Sequence, residues 1–204
     1  LRDVLRTPST GIVETDAKRG LVKYAKPAGV IASLIPMTNP AMTPPVTGVS
    51  SANARNAVIF SPHPRTAATT CEMSRIMRAA CHAVGAPEDL FQCIERPSIP
   101  MTQYLMESCD LTLATGGKPM VQAAYSSGKP AYGVGAGNST IVVDETADVN
   151  EAAKNIMISK TSDFGSGCSA DGNIVIQKSI YSNMVSELQA NNGYLCNSAE
   201  KELL

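Results

Sequence analysis

From Gly29 onward, short apolar runs alternate with segments of helical pattern, and that alternation restricts the fold more than any other property of the chain. Val30 to Ile35 reads as a buried strand ended by Pro36. A helix fits Thr43 to Arg55, with Pro44 and Pro45 in its first turn, where the N–H groups lack helical partners in any case. Next come a strand at Ala57 to Phe60 and a turn through Ser61-Pro62-His63-Pro64. Thr66 to Val84 predicts a helix whose apolar face is Ala68, Cys71, Ile76, Met77, Ala80, Cys81 and Val84, with Gly85 as its stop. The pattern then repeats: strand Phe91–Ile94, helix Met101–Ser108, strand Leu111–Ala114, helix Lys118–Ser126 and strand Pro130–Val134. Short continuous apolar strands separated by helices are what a parallel sheet covered on both faces requires. The expected class is therefore α/β, a Rossmann-like parallel sheet.

After Gly137 the character changes to a strand at Thr140–Val143, an acid-capped helix from Asp148 to Thr161, a small-residue loop, a strand at Asn173–Ile176 and a further helix. This divides the chain into a dinucleotide-binding domain over 1–134 and the start of a second α/β, catalytic domain over 135–204. In open parallel sheets ligands bind beyond the carboxyl ends of the strands. Those ends carry Pro36 to Asn39, Ser61 to Pro64, Thr115-Gly116-Gly117 and Gly133 to Asn138.

Seventeen basic and 18 acidic side chains leave a net charge of −1, and no basic stripe suggests a nucleic-acid partner. No apolar run reaches the ~18 residues of a membrane helix, and the start at Leu1 has no signal-peptide pattern. The six cysteines, Cys71, Cys81, Cys93, Cys109, Cys168 and Cys196, are irregularly spaced, with only His63 and His82 to join them. That spacing predicts neither a metal site nor a disulfide framework, and the thiols are expected to be reduced. His82 and the cysteines other than Cys168 read as core or surface residues.

Cys168 differs from the rest. It sits in Asp163-Phe164-Gly165-Ser166-Gly167-Cys168-Ser169-Ala170, where small neighbours leave the sulfur uncovered and let backbone N–H groups approach whatever it bonds. Such a thiol is suited to attack on a carbonyl.

Several blocks resemble the CoA-acylating branch of the aldehyde dehydrogenase superfamily. They are Pro27 to Ile31 through Thr38-Asn39-Pro40, Ile59 to Arg65, Leu113 to Gly117, Ala124 to Pro130, Gly133 to Asn138, and Met157 to Thr161 leading into Cys168. The branch includes acetaldehyde and propionaldehyde dehydrogenases and the aldehyde half of bifunctional aldehyde–alcohol dehydrogenases. The chain is much shorter than that family's, and the resemblance implies that the family's first segment and most of the region after Cys196 are missing. The cysteine loop is also richer in glycine and serine than in acetaldehyde enzymes, and Asp171-Gly172 stands where a Glu-Gln pair is common. The aldehyde is therefore open between acetaldehyde, propionaldehyde, sulfoacetaldehyde and a semialdehyde.

The resemblance implies Cys168 as nucleophile and the Asn39 amide as oxyanion donor, although Asn39 before Pro40 is also an ordinary turn residue. It implies cofactor contacts from Thr38, from Ser61 and His63 at the adenosine ribose, from Thr115, Gly116 and Gly117 at the pyrophosphate, and from Gly133, Val134 and Gly135 beneath the nicotinamide. The cofactor is NAD, with NADP also open because the ribose-binding glutamate is absent from the Ser61 turn. Gly133 aligns with the glutamate that activates water in hydrolytic members, which makes coenzyme A the acyl acceptor. The implied setting is a homo-oligomer, alone or joined to an alcohol dehydrogenase, in the cytoplasm or a bacterial microcompartment. Two alternatives remain at this point: a hydrolytic aldehyde dehydrogenase with another base, and a non-catalytic dinucleotide-binding remnant.

Overall fold

A computed structural model describes residues 2–135 and 137–203. Ala136, inside the glycine-rich stretch singled out above, lies outside the described residues, as do the chain ends Leu1 and Leu204. The chain forms two compact units, Leu1–Ala136 and Gly137–Leu204.

The first unit opens with helix α1 (Arg2–Arg6) and an antiparallel hairpin of β1 (Gly11–Asp16) and β2 (Leu21–Ala25). It continues with β3 (Val30–Ile35), α2 (Thr43–Asn53), β4 (Ala57–Pro62), α3 (Ala67–His82), β5 (Phe91–Cys93), α4 (Ile99–Ser108), β6 (Leu111–Thr115), α5 (Lys118–Tyr125) and β7 (Ala131–Val134). Five of these strands make a wholly parallel sheet in the order β5-β4-β3-β6-β7. The strand order reverses between β3 and β6, and in open parallel sheets ligands bind beyond the carboxyl ends at such a point.

Side-chain alternation explains why both faces are covered. Ile31 and Ile35 of β3 join Val58 and Phe60 of β4 and Phe91 of β5 in one buried cluster, against Ala52 of α2 and Met77 of α3. The intervening residues turn the other way: Ala32 packs with Leu105 of α4 and with Cys109 just after that helix, and Leu34 with Met106 of α4 and Ala124 of α5. Phe60 and Phe91 stack with centroids 6.1 Å apart, an arrangement that adds roughly 1 kcal/mol beyond area burial.

Three findings differ from the expectations. The β1–β2 hairpin precedes the first strand that the apolar pattern predicts. The inward face of α3 runs through Thr70 and Ser74, both buried, then Met77 and Cys81; Ile76 and Val84 are exposed. Small hydroxyl residues let α3 approach closely, and the Thr70 hydroxyl donates to the Pro40 carbonyl at 3.2 Å. The third concerns the thiols: Cys71 of α3 and Cys93 of β5 form a disulfide, with Cα atoms 5.3 Å apart, which corrects the fully reduced reading. The packing of α3 on β5 brings two residues 22 positions apart into bridging geometry. Cys81, Cys109, Cys168 and Cys196 are free.

The second unit contains β8 (Ser139–Val143), α6 (Val149–Thr161), β9 (Asp171–Ile176), α7 (Tyr181–Ala190) and α8 (Ser198–Lys201). Strands β8 and β9 pair in parallel, and α6 makes the crossover between them. Asp148 caps α6 by accepting from the Glu151 N–H at 3.0 Å, and Val143, Ala153, Ile156 and Met184 form the core. Among the described residues, no helix is long and apolar enough to cross a membrane.

Candidate active site

The parallel sheet lines up ten of the eleven residues named from the sequence along its carboxyl edge. Thr38 and Asn39 follow β3; Ser61 ends β4 and His63 follows it; Thr115, Gly116 and Gly117 lie at the end of β6; Gly133, Val134 and Gly135 lie at the end of β7. Cys168 belongs to the second unit.

Asn39 does two things at once. Its side-chain Oδ1 accepts from the Met42 N–H at 3.2 Å, and its backbone carbonyl accepts from the Thr43 hydroxyl at 2.7 Å. These bonds lock the turn that leads into α2. With Oδ1 engaged, the exposed amide is left with Nδ2 as an outward donor, the property an oxyanion contact needs. The turn reading and the donor reading of Asn39 are therefore compatible.

Ser61 and His63 have different surroundings. The Ser61 hydroxyl is buried and lies 2.9 Å from Thr102 Oγ1 on α4, so it fixes that helix to the end of β4. Thr102 carries no motif of its own, and its pairing across 41 positions gives no signal in the sequence. His63 is exposed, and its Nδ1 accepts from the Arg65 N–H at 3.2 Å. That bond leaves Nε2 as the outward edge of the ring, a donor in the neutral imidazole.

At the end of β6, the Gly116 N–H donates to the Val134 carbonyl at 3.0 Å, and Gly117 begins α5 with no side-chain cap. A methyl group on Gly116 or Gly117 would come no closer than 3.7 Å to any neighbour, and one on Gly135 would meet nothing within 4 Å. None of the three has a left-handed φ. The chain's own packing thus does not demand glycine there, and the open backbone fits the close approach of a dinucleotide. We expect Gly117→Ala and Gly135→Ala to leave the melting temperature nearly unchanged while weakening dinucleotide binding, as read by titration calorimetry. Unchanged affinity would mean that no ligand approaches these backbone positions.

Gly133 is different because its space is taken. A Cβ there would run into Val121 Cγ1 and lie 3.0 Å from the Tyr125 ring, while the Gly133 N–H donates to the Tyr125 hydroxyl at 3.0 Å. Crowding, and not a left-handed backbone, is what opposes a side chain at this position. No carboxylate occurs from Gly133 to Asn138.

In the second unit Cys168 is exposed in a turn closed by the Ala170 N–H on the Gly167 carbonyl at 3.0 Å. The loop is reached through Asp163 and Phe164, both with left-handed φ, followed by Gly165. A methyl group on Gly137 would sit 4.0 Å from the Cys168 carbonyl oxygen, and the Asn138 amide fills the space over Gly172. Gly137 and Asn138, just before β8, therefore lie beside Cys168 and the start of β9. Among the described residues, no three His, Cys, Asp or Glu side chains gather as a metal would require.

Comparison with known proteins places this geometry in context. The aldehyde dehydrogenase family matches residues 3–195. A sulfoacetaldehyde dehydrogenase from Acholeplasma sp. is 44% identical over 203 residues, covering 100% of this chain and 42% of that protein. An acetylating aldehyde dehydrogenase from Geobacillus thermoglucosidasius superposes with a TM-score of 0.91 at 39% identity, over 98% of this chain and 45% of that one. A propionaldehyde dehydrogenase from Rhodopseudomonas palustris, solved with bound CoA and an acylated cysteine, has a TM-score of 0.76 at 35% identity, over 85% of this chain and 40% of that one. The chain spans less than half the length of each of these relatives.

Proposed function

The chain belongs to the aldehyde dehydrogenase family, and on that premise we propose that it contributes the nucleotide-binding and cysteine-bearing parts of a CoA-acylating aldehyde dehydrogenase. The reaction is aldehyde + CoA + NAD⁺ to acyl-CoA + NADH, run in either direction. In this reading the Cys168 thiolate attacks the aldehyde carbon, and the Asn39 amide donates to the oxygen on which negative charge develops. NAD or NADP, when bound, supplies the hydride acceptor. Loss of hydride leaves a thioester on Cys168, which the CoA thiol takes up by transthioesterification. Thr38, His63 and the open glycines at the ends of β6 and β7 hold the cofactor, and Ser61 positions its edge of the site through Thr102.

The observation that carries the acylating reading is Gly133. Hydrolysis needs a base to activate water, and the family position for that base holds a glycine whose side-chain space is filled by Val121 and Tyr125. The acylated cysteine and CoA bound in the Rhodopseudomonas relative support the same route. Ser169 follows the nucleophile with a hydroxyl, and together with the Acholeplasma relative's name it favours a small polar aldehyde of the sulfoacetaldehyde kind.

The proposed setting is a homo-oligomer in the cytoplasm or a bacterial microcompartment, a source that a structural relative from a fucose-utilisation microcompartment supports. The deciding experiment incubates the protein with NAD⁺, CoA and each of acetaldehyde, propionaldehyde, sulfoacetaldehyde and succinate semialdehyde, then identifies the product by mass spectrometry. Acyl-CoA is the expected product, and free acid as the main product would reverse the assignment.

A further inference from the structure

We propose that Asp163 is a positioning residue for the Cys168 thiol. Clasped by the Ser166 hydroxyl, it holds the left-handed stretch that carries the chain from the end of α6 to the sulfur. The proposal rests on Cys168 being the nucleophile, as the proposed function has it, and adds what fixes the nucleophile's loop.

The chain leaves α6 at a set point. The Thr161 and Ser162 hydroxyls donate to the Met157 and Ile158 carbonyls at 2.7 and 2.6 Å, so side chains satisfy acceptors that the helix end leaves open. Three consecutive residues are then left-handed: Asp163 (φ 49°), Phe164 (φ 55°) and Gly165 (φ 70°). At Gly165 only glycine fits on two counts, since a Cβ there would also lie 2.8 Å from the Lys160 carbonyl oxygen. Aspartate tolerates this conformation because its short polar side chain bonds locally. Phenylalanine has no such means, and Phe164 is fully exposed, so no packing offsets its backbone conformation. A residue in that state persists only where its neighbours hold it.

Ser166 supplies the hold. Its N–H donates to the Asp163 carbonyl at 3.0 Å. Its hydroxyl lies 2.6 Å from the same carbonyl and 3.0 Å from Asp163 Oδ2, so one proton is shared between backbone and carboxylate. The next four residues repeat the closure, with the Ala170 N–H on the Gly167 carbonyl and Cys168 inside the turn. Two closed turns thus run end to end, Asp163–Ser166 and Gly167–Ala170, and the first sets the direction from which the second presents the thiol. Releasing the clasp lets Phe164 relax and moves the sulfur. A shift of about 1 Å at a reacting atom costs on the order of 10²-fold in rate.

The test uses the full chain with Asp163→Ala, Asp163→Asn and Ser166→Ala, following acyl-CoA formation from aldehyde, NAD⁺ and CoA. Asp163→Ala should lower kcat about tenfold or more and leave the KM for NAD⁺ unchanged. Ser166→Ala, which keeps the left-handed residue and the N–H bond, should lower kcat less and in the same way. It also carries the test if Asp163→Ala does not fold. Asp163→Asn should keep most of the kcat, because asparagine tolerates a left-handed φ and its Oδ1 can accept the same hydroxyl. Cleavage by chymotrypsin after Phe164, which needs a locally opened chain, should be several-fold faster in Asp163→Ala and Ser166→Ala than in the unmodified protein. Unchanged cleavage would overturn the clasp, and a loss in Asp163→Asn as large as in Asp163→Ala would replace it with a role for the carboxylate's charge. If Asp163→Ala keeps its kcat and still makes acyl-CoA, the positioning role is wrong and the functional reading stands. If the unmodified protein makes no acyl-CoA, the functional reading fails and the positioning role goes with it.

Discussion

We expect Cys168→Ala to end aldehyde oxidation while nucleotide binding stays nearly unchanged. The expected loss in kcat is about 10⁴-fold or more, the order found when a covalent nucleophile is removed from an enzyme that depends on it. The reason is the position of the sulfur. It is exposed at the tip of a turn closed by Gly167 and Ala170, in a loop with no bulky side chain beside it. The alanine variant removes one sulfur from an exposed residue, so a fall in activity at an unchanged melting temperature reports chemistry and not unfolding. Alkylation gives an independent check. Iodoacetamide should label Cys168 ahead of Cys196, the other exposed thiol, and should not reach Cys71 or Cys93 before reduction. Retention of most of the kcat by the alanine variant would move the nucleophile elsewhere.

Aldehyde and NAD⁺ without CoA should give a burst of NADH of about one equivalent per Cys168, then a steady rate lower by roughly 10²–10⁴-fold, the contribution of a positioned general base. Adding CoA should restore turnover. Without an activated water, the thioester has no fast exit until a thiol arrives. Gly133→Glu, the obvious way to supply a base, should not create a hydrolase by itself. Its Cβ would press on Val121 and Tyr125, and overpacking of that kind costs about 1–3 kcal/mol. The single variant is therefore expected to melt earlier, and CoA-independent turnover should rise only when Val121→Ala makes room. Sustained multi-turnover NADH production by the unmodified protein with no thiol present would sink the acylating assignment.

The sheet was legible because each of its strands is a short apolar run bounded by a turn residue, and burial on both faces removes any other way to read such runs. The hairpin before it was not. Strands β1 and β2 are exposed almost throughout, so they lack the alternation that marks a strand with one buried face. What signal they carry is local: Asp16 accepts from the Lys18 and Arg19 N–H groups, and Gly20 takes a left-handed φ to close the turn. On α3 the apolar periodicity pointed to Ile76 and Val84, whereas close approach to Pro40 and the sheet selects the smaller Thr70 and Ser74.

The candidate site was legible in part, as positions along the sheet's carboxyl edge. Asn39 and His63 stand in turns that a strand end makes recognisable, but the bonds that orient them are set by three-dimensional neighbours. The obstacle to a base at Gly133 is a helix packing on the next strand, and no local property of the glycine announces it. Thr102 illustrates the same limit, since nothing near it in sequence shows that it holds Ser61.

The Cys71–Cys93 bond closes a covalent ring of backbone around the exposed turn at Val84–Gly85, where α3 has ended and β5 has not begun. A protease that cuts in this turn produces two polypeptides that remain one molecule. Such a nick leaves the mass unchanged apart from one added water and is invisible on an unreduced gel. It also leaves the strand order intact, because β4 and β5 keep both their ladder and their tether. The tip between α3 and β5 is thus a place where this chain can be opened, relabelled or given new ends at little cost to the parallel sheet.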